Sequence, residues 1–197
     1  MFARLSGCEL GLGCSGSERA CATETPGQHL SFLTMARLHE GLRPLAWLLG
    51  EWESIQAKGM YPTSASFDYT TTLKITHLGQ PVLNFYSESW LGGIAKHVEC
   101  GFIRMDPATK KVAYMCAQDL GFVEIEEGEL KGTSIEFKDD LLLSMSLPNT
   151  PSTTGLRRAF CLKPGGILEQ IVLMSTPKTP FAQHLYITYK NKGTSHL

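Results

Sequence analysis

Long apolar runs are missing from this 197-residue chain. None approaches the about 20 residues that a bilayer-spanning helix needs, so no membrane partner is expected. An excess of charge of one sign is missing too: 18 Lys and Arg stand against 19 Asp and Glu, a formal net charge of -1. Nucleic-acid binders present a basic face, so nucleic acid is not an expected partner. Cysteines are present but unpaired in pattern. Cys8, Cys14, Cys21, Cys100, Cys116 and Cys161 contain no C-x-x-C, which leaves a zinc site or a redox pair without support. Their density is too low for a secreted disulfide scaffold, and they read as reduced thiols in a cytoplasmic protein, with a nuclear presence also compatible. Patterns G-x-S-x-G, H-E-x-x-H and the P-loop are absent. Gly11 to Gly16 does match G-x-G-x-x-G, but no strand precedes it and no helix follows, as a dinucleotide site requires. Near the N-terminus, Glu9 interrupts the apolar residues, which argues against a secretory leader.

What is present is a series of short alternating segments. Residues 1–40 read as a flexible tail, with a short helix where Leu30, Leu33, Ala36 and Leu38 approach helical spacing. After Pro44 a helical turn ends at Gly50, and strand signals begin at Glu51. In FDYTTTLKITH, residues 67–77, Phe67, Tyr69, Thr71, Leu73 and Ile75 alternate with more polar neighbours, the period of a strand. Further strands are expected over 81–90, 96–105, 112–118, 121–127, 130–137, 141–147, 156–162, 167–174 and 183–190. Turns are expected at Gly128-Glu129, Asp139-Asp140 and Pro164-Gly165-Gly166. No long helix alternates with them, which excludes a doubly wound fold. The expectation is an all-β, ten-stranded antiparallel up-and-down barrel over residues 41–192, with short N-terminal helical segments. Such a barrel can enclose a small ligand.

The residues alone leave the chemistry open. His29, His39 and His196 lie near the ends, and His77 precedes a glycine turn. His97 and Cys100, three apart in a strand, fall on opposite faces and make a poor metal pair. His184 opens the last strand, and alternation groups it with Tyr186 and Thr188, opposite Leu185 and Ile187. By spacing it reads as a satisfied histidine or as a ligand. Glu124, Glu126, Glu127 and Glu129 read as a solvated strand face and turn. Arg157-Arg158 would send one guanidinium inward and one outward, and the inward one would need an anionic partner.

Several strings occur together in order: PLAWLLGEW (44–52), MYPT (60–63), GQPVLNF (79–85), HVECGFIR (97–104), GFVEIEEG (121–128) and QHLYITYK (183–190). Over residues 41 to 192 the chain thereby resembles the nitrobindin family. The resemblance implies a ten-stranded barrel holding haem b, with His184 as the axial iron ligand and the catalytic centre. It implies haem contacts at Thr63, His97, Met174 and Arg157. It also implies binding of nitric oxide and isomerisation of peroxynitrite to nitrate, a scavenging of reactive nitrogen species. Other readings are a non-catalytic nitric oxide sensor or carrier, and a lipocalin-like carrier of a small apolar ligand. The oligomeric state stays open, a homodimer among the options. The family signature G-x-W-x-G-x-G is altered here, with Ser54 after Gly50 and Trp52 in place of the second glycine.

Overall fold

A computed structural model describes residues 36–61, 64–147 and 152–193. A nine-residue 3-10 helix, Glu40–Leu48, comes first. His39 caps it, its Nδ1 accepting from the Gly41 N–H at 3.1 Å. Three residues per turn put Leu42, Leu45 and Leu48 on one face, and all three are fully buried. The helix expected around Leu30 lies mostly outside the described residues, and residues 36–39 are not helical.

Eleven strands follow: β1 (Gly50–Tyr61), β2 (Ser64–Asp68), β3 (Thr70–His77), β4 (Leu83–Leu91), β5 (Ile94–Met105), β6 (Lys111–Gln118), β7 (Phe122–Lys131), β8 (Ser134–Ser144), β9 (Gly155–Lys163), β10 (Ile167–Thr176) and β11 (Thr179–Asn191). Every pairing is antiparallel, and β11 closes on β1. The N-terminal half of β1 pairs with β3 and its C-terminal half with β2. β2 and β3 thus share one place in the wall, broken at Tyr69, and the closed ring has ten strand positions. The expected up-and-down barrel is what forms.

Two expected turns are strand instead. β7 runs unbroken through Gly128-Glu129, and β8 runs through Asp139-Asp140. Gly128 is there for close approach: a Cβ on it would meet the Glu136 carbonyl oxygen at 2.1 Å. At Asp139-Asp140 the register slips by one residue, Ile125 facing Leu141 and Glu126 facing Asp139. The acidic pair marks a bulge, which bends a strand without ending it.

The core is graded along the barrel. At the end covered by the 3-10 helix, Leu42, Leu45 and Leu48 share one cluster with Ile103, Met105, Val112, Leu130 and Leu168. Trp52 is tied to that helix by its indole N–H, which donates to the Leu48 carbonyl at 2.8 Å. Stacked Phe85 and Tyr114 lie 4.4 Å apart, with Phe137 and Phe160 packed alongside. Ser54, the departure from the family signature, accepts from the Thr71 N–H at 3.0 Å and so ties β1 to β3.

Gly128→Ala must push β8 away from β7. Overpacking of this kind costs about 1–3 kcal/mol. Urea denaturation should show that loss, and an unchanged midpoint would refute the close approach.

Candidate functional site: a bulged histidine above a buried ion-pair layer

His184 is displaced from the regular alternation of its strand. Val172 faces Leu185 and Leu173 faces Gln183, so His184 is the extra residue of a β-bulge. Bulges re-aim side chains. Tyr186, grouped with His184 by spacing, bonds outward to Glu169 at 3.0 Å. The His184 ring instead lies tilted against Tyr61, with centroids 4.7 Å apart. Its Nδ1 stands 3.0 Å from the Met60 carbonyl oxygen. A carbonyl only accepts, so Nδ1 carries the proton and donates. Burial lowers the His184 pKa, outweighing that hydrogen bond, and keeps the imidazole neutral. Nε2 therefore keeps its lone pair, and among the described residues no hydrogen bond reaches it. A neutral imidazole whose other nitrogen is fixed by a carbonyl is the usual form of a metal-binding histidine.

His97 is held differently. Its Nδ1 lies 2.8 Å from Asp119 Oδ1 and its Nε2 lies 3.1 Å from Glu99 Oε1. Carboxylates only accept, so both nitrogens donate and the ring is an imidazolium. Burial would lower its pKa, but the hydrogen bond and charge of Glu99, with Asp119, raise it overall. No nitrogen of His97 is left for iron. His97 and Cys100 stand on opposite faces of β5, with Cys100 exposed.

Behind His97 lies a buried ion-pair layer. Arg158 donates from Nε to Glu126 at 3.0 Å, from Nη1 to Glu99 at 2.9 Å and from Nη2 to Glu124 at 2.7 Å. Its guanidinium lies 4.4 Å above the Tyr114 ring. Glu124 and Glu126 are fully buried, which overturns their reading as a solvated face. They sit two apart on β7, so both point inward between Phe122 and Leu130. Burial raises Glu124, and lifts Glu126 to about 7, against the opposing charge of Arg158. For Glu99 burial is overcome by Arg158 and His97, which hold its carboxyl at about 2. Ligand atoms of Glu99, Cys116 and Glu124 lie within 4.8 Å of one another. Arg158 already answers those carboxylates, and burial keeps the Cys116 thiol protonated. The trio therefore belongs to the ion-pair layer, not to a metal site.

Of the other expected contacts, Met174 and Arg157 lie on paired strands next to the bulge, with Leu156 opposite Met174 and Arg157 opposite Leu173. Met174, half-buried on β10, takes a 3.7 Å contact at Sδ from the Thr153 hydroxyl. Thr63 lies outside the described residues. Arg157 is exposed on the outer face, its guanidinium 4.1 Å from the Phe181 ring centroid. Alternation sends Arg158 inside instead, because there the carboxylates are waiting. Alternation marks Tyr69 only as a strand residue, yet its hydroxyl is buried with no partner among the described residues. A barrel interior holding a free imidazole nitrogen and an unsatisfied hydroxyl suits a bound metal-containing group.

Comparison with known proteins gives the same class. The family described as "THAP4-like, heme-binding beta-barrel domain" matches residues 41–191. The chain is 41% identical over 157 residues to the peroxynitrite isomerase THAP4 of Homo sapiens, covering 78% of this chain and 27% of that one. It is 33% identical over 152 residues to an Arabidopsis thaliana protein named peroxynitrite isomerase Rv2717c, covering 75% and 87%. The crystal structure of Rv2717c from M. tuberculosis superposes with a TM-score of 0.68 at 26% identity, covering 79% of this chain and 99% of that one. The chain spans about a quarter of the length of the human relative. It belongs to the THAP4-like, heme-binding β-barrel family.

Arg158→Ala leaves the buried Glu124 and Glu126 without their counter-charge and Glu99 with His97 alone, a loss of about 3–5 kcal/mol in systems of this kind. Chemical denaturation measures it, and a loss near zero would show the layer to be dispensable. The pH dependence has a defined sign. Glu126 is raised from 4.5 to about 7, so its contribution is full below 4.5 and fades as pH climbs through 7. His97 is also raised, and its contribution fades above 6.5. Glu99 is depressed from 4.5 to about 2, so its share is lost only on descent through that range. Stability should fall from about pH 5 to about pH 8, and Glu126→Gln should flatten the fall.

Proposed function

We propose that the barrel binds haem b through His184 and isomerises peroxynitrite to nitrate, with nitric oxide as a second ligand. The observation that carries this reading is the bulge that turns His184 against Tyr61 and fixes its proton on Nδ1 toward Met60. A carrier of apolar ligands needs no such histidine. The family match and the named relatives support the same chemistry. When bound, haem would supply a Lewis-acidic iron centre for rearranging peroxynitrite.

The chain's own part is to hold and to exclude. Met60, through its carbonyl, keeps the His184 proton on Nδ1 and sets the ring plane. Tyr61 packs on the ring and limits its rotation. Met174 and Val172 on β10 present apolar surface beside the bulge, which disfavours bound water. Thr63 is assigned to the haem by the resemblance. His97 is engaged at both nitrogens and acts through Glu99 on the interior charge, not as a ligand. Free thiols at Cys100, Cys116 and Cys161 support a reducing compartment, the cytoplasm.

His184→Ala should abolish haem binding, followed as a Soret band in a haem titration; unchanged affinity and spectrum would sink the assignment. The haem-loaded chain should accelerate peroxynitrite decay in stopped flow and shift the product toward nitrate. Decay no faster than with the haem-free chain would refute the catalytic reading.

A further inference from the structure

Arg158 faces three carboxyls inside this barrel. Arg158 bonds one oxygen each of Glu99, Glu124 and Glu126. The remaining oxygens of Glu124 and Glu126 are buried with no hydrogen-bond partner within reach among the described residues. Were all three carboxyls ionised, Arg158 and the His97 imidazolium would leave one negative charge over in a buried site. Such an excess is relieved by protonation. Glu99 is not the group that protonates, because His97 and Arg158 both donate to it. That leaves Glu124 and Glu126, two residues apart on one face of β7.

The neighbours of the pair are on every side. β5 brings His97 and Glu99, and β6 brings Tyr114, Cys116 and Gln118, whose amide donates to Glu124 at 3.0 Å. β9 brings Arg158. On β8 the register positions opposite Glu124 and Glu126 are Leu142 and Asp139. Tyr69 and Tyr189 feel the charges of Glu99 and Arg158. A path to water also exists. The Asp119 side chain is 44% exposed and touches His97, which touches Glu99. Oxygens of Glu99 and Glu124 lie within 4.8 Å of each other, a span that a single water bridges.

We propose that Glu124 and Glu126 share one exchangeable proton inside the barrel, exchanged with solvent through His97 and Glu99, and that it offsets the charge of an anion admitted beside His184. Only the last clause rests on the haem reading. The step moves one proton and no electrons. His97 gives its Nε2 proton to Glu99 and is left neutral with its proton on Nδ1; a ring flip then turns the vacant nitrogen to Asp119, where it is reprotonated from solvent. Glu99 passes the proton on to Glu124. An anion entering the interior meets Arg158 and His97 already engaged by carboxylates. Protonating one buried carboxyl removes the repulsion that the anion would otherwise meet.

The test begins with the haem-free full chain, carrying 13C-labelled glutamate carboxyls. NMR should show one carboxyl titrating near neutral pH, and Glu126→Gln or Glu124→Gln should abolish that titration. If every glutamate titrates in the ordinary acid range, the shared proton is overturned; the unmodified chain decides this even if the variants fail to fold. The haem-loaded chain is then titrated with azide at several pH values. Affinity should fall about tenfold per pH unit above that titration, with a shallower fall in Glu126→Gln. Affinity independent of pH would overturn charge compensation. His97→Gln should slow azide-linked proton uptake, read with an indicator dye, by at least about tenfold, since each 1.4 kcal/mol of barrier is a factor of ten. An unchanged rate would overturn the route. Should no haem bind at all, the function proposed above fails while the carboxyl titration still tests the shared proton.

Discussion

A guanidinium stays charged wherever a protein puts it. Arg158 is buried in the middle of this barrel, so its charge must be met there. The inner faces of β5 and β7 meet it, through Glu99 on the first and Glu124 and Glu126 on the second. Glu99 in turn holds His97, and His97 reaches Asp119 near the surface. The chain of contacts crosses from solvent to the centre and pins three separate strands to one another. Below it, the apolar cluster under the 3-10 helix can pack without any buried charge. Above it stands His184, on the opposite side of the ring.

The second constraint is the bulge on β11. With regular pairing His184 would share the outer face with Tyr186 and Thr188. One extra residue against β10 frees it, and the Met60 carbonyl across the strand pair takes its proton. The two histidines of the interior are thereby set apart. His184 is neutral with an open nitrogen, while His97 is charged and closed at both. The distinction comes from what each faces: a carbonyl and an aromatic ring in one case, two carboxylates in the other.

Much of the architecture was legible in the residues. Alternation in 67–77 and the spacing of later strands led to an antiparallel barrel, because one buried face imposes a period of two. Two breaks were misplaced, since Gly128 and Asp139-Asp140 carry turn chemistry but serve close approach and a bulge. The direction of His184 was not legible from spacing, as a bulge leaves no mark in a period-two pattern. Only the resemblance pointed to it. The ion-pair layer was half visible: an inward arginine requires an anion, and Glu124 and Glu126 are spaced to share a face. Their charge concealed this, because carboxylates at strand positions normally face water. Which of Arg157 and Arg158 turns inward depends on register against β8 and β10.

Leu42, Leu45 and Leu48 seal one end of the ring, which makes the barrel a cup. A ligand held beside His184 would then have one way in and the same way out, by the far rim. The leucine seal, remote from His184, would set that route as much as the residues that meet the ligand.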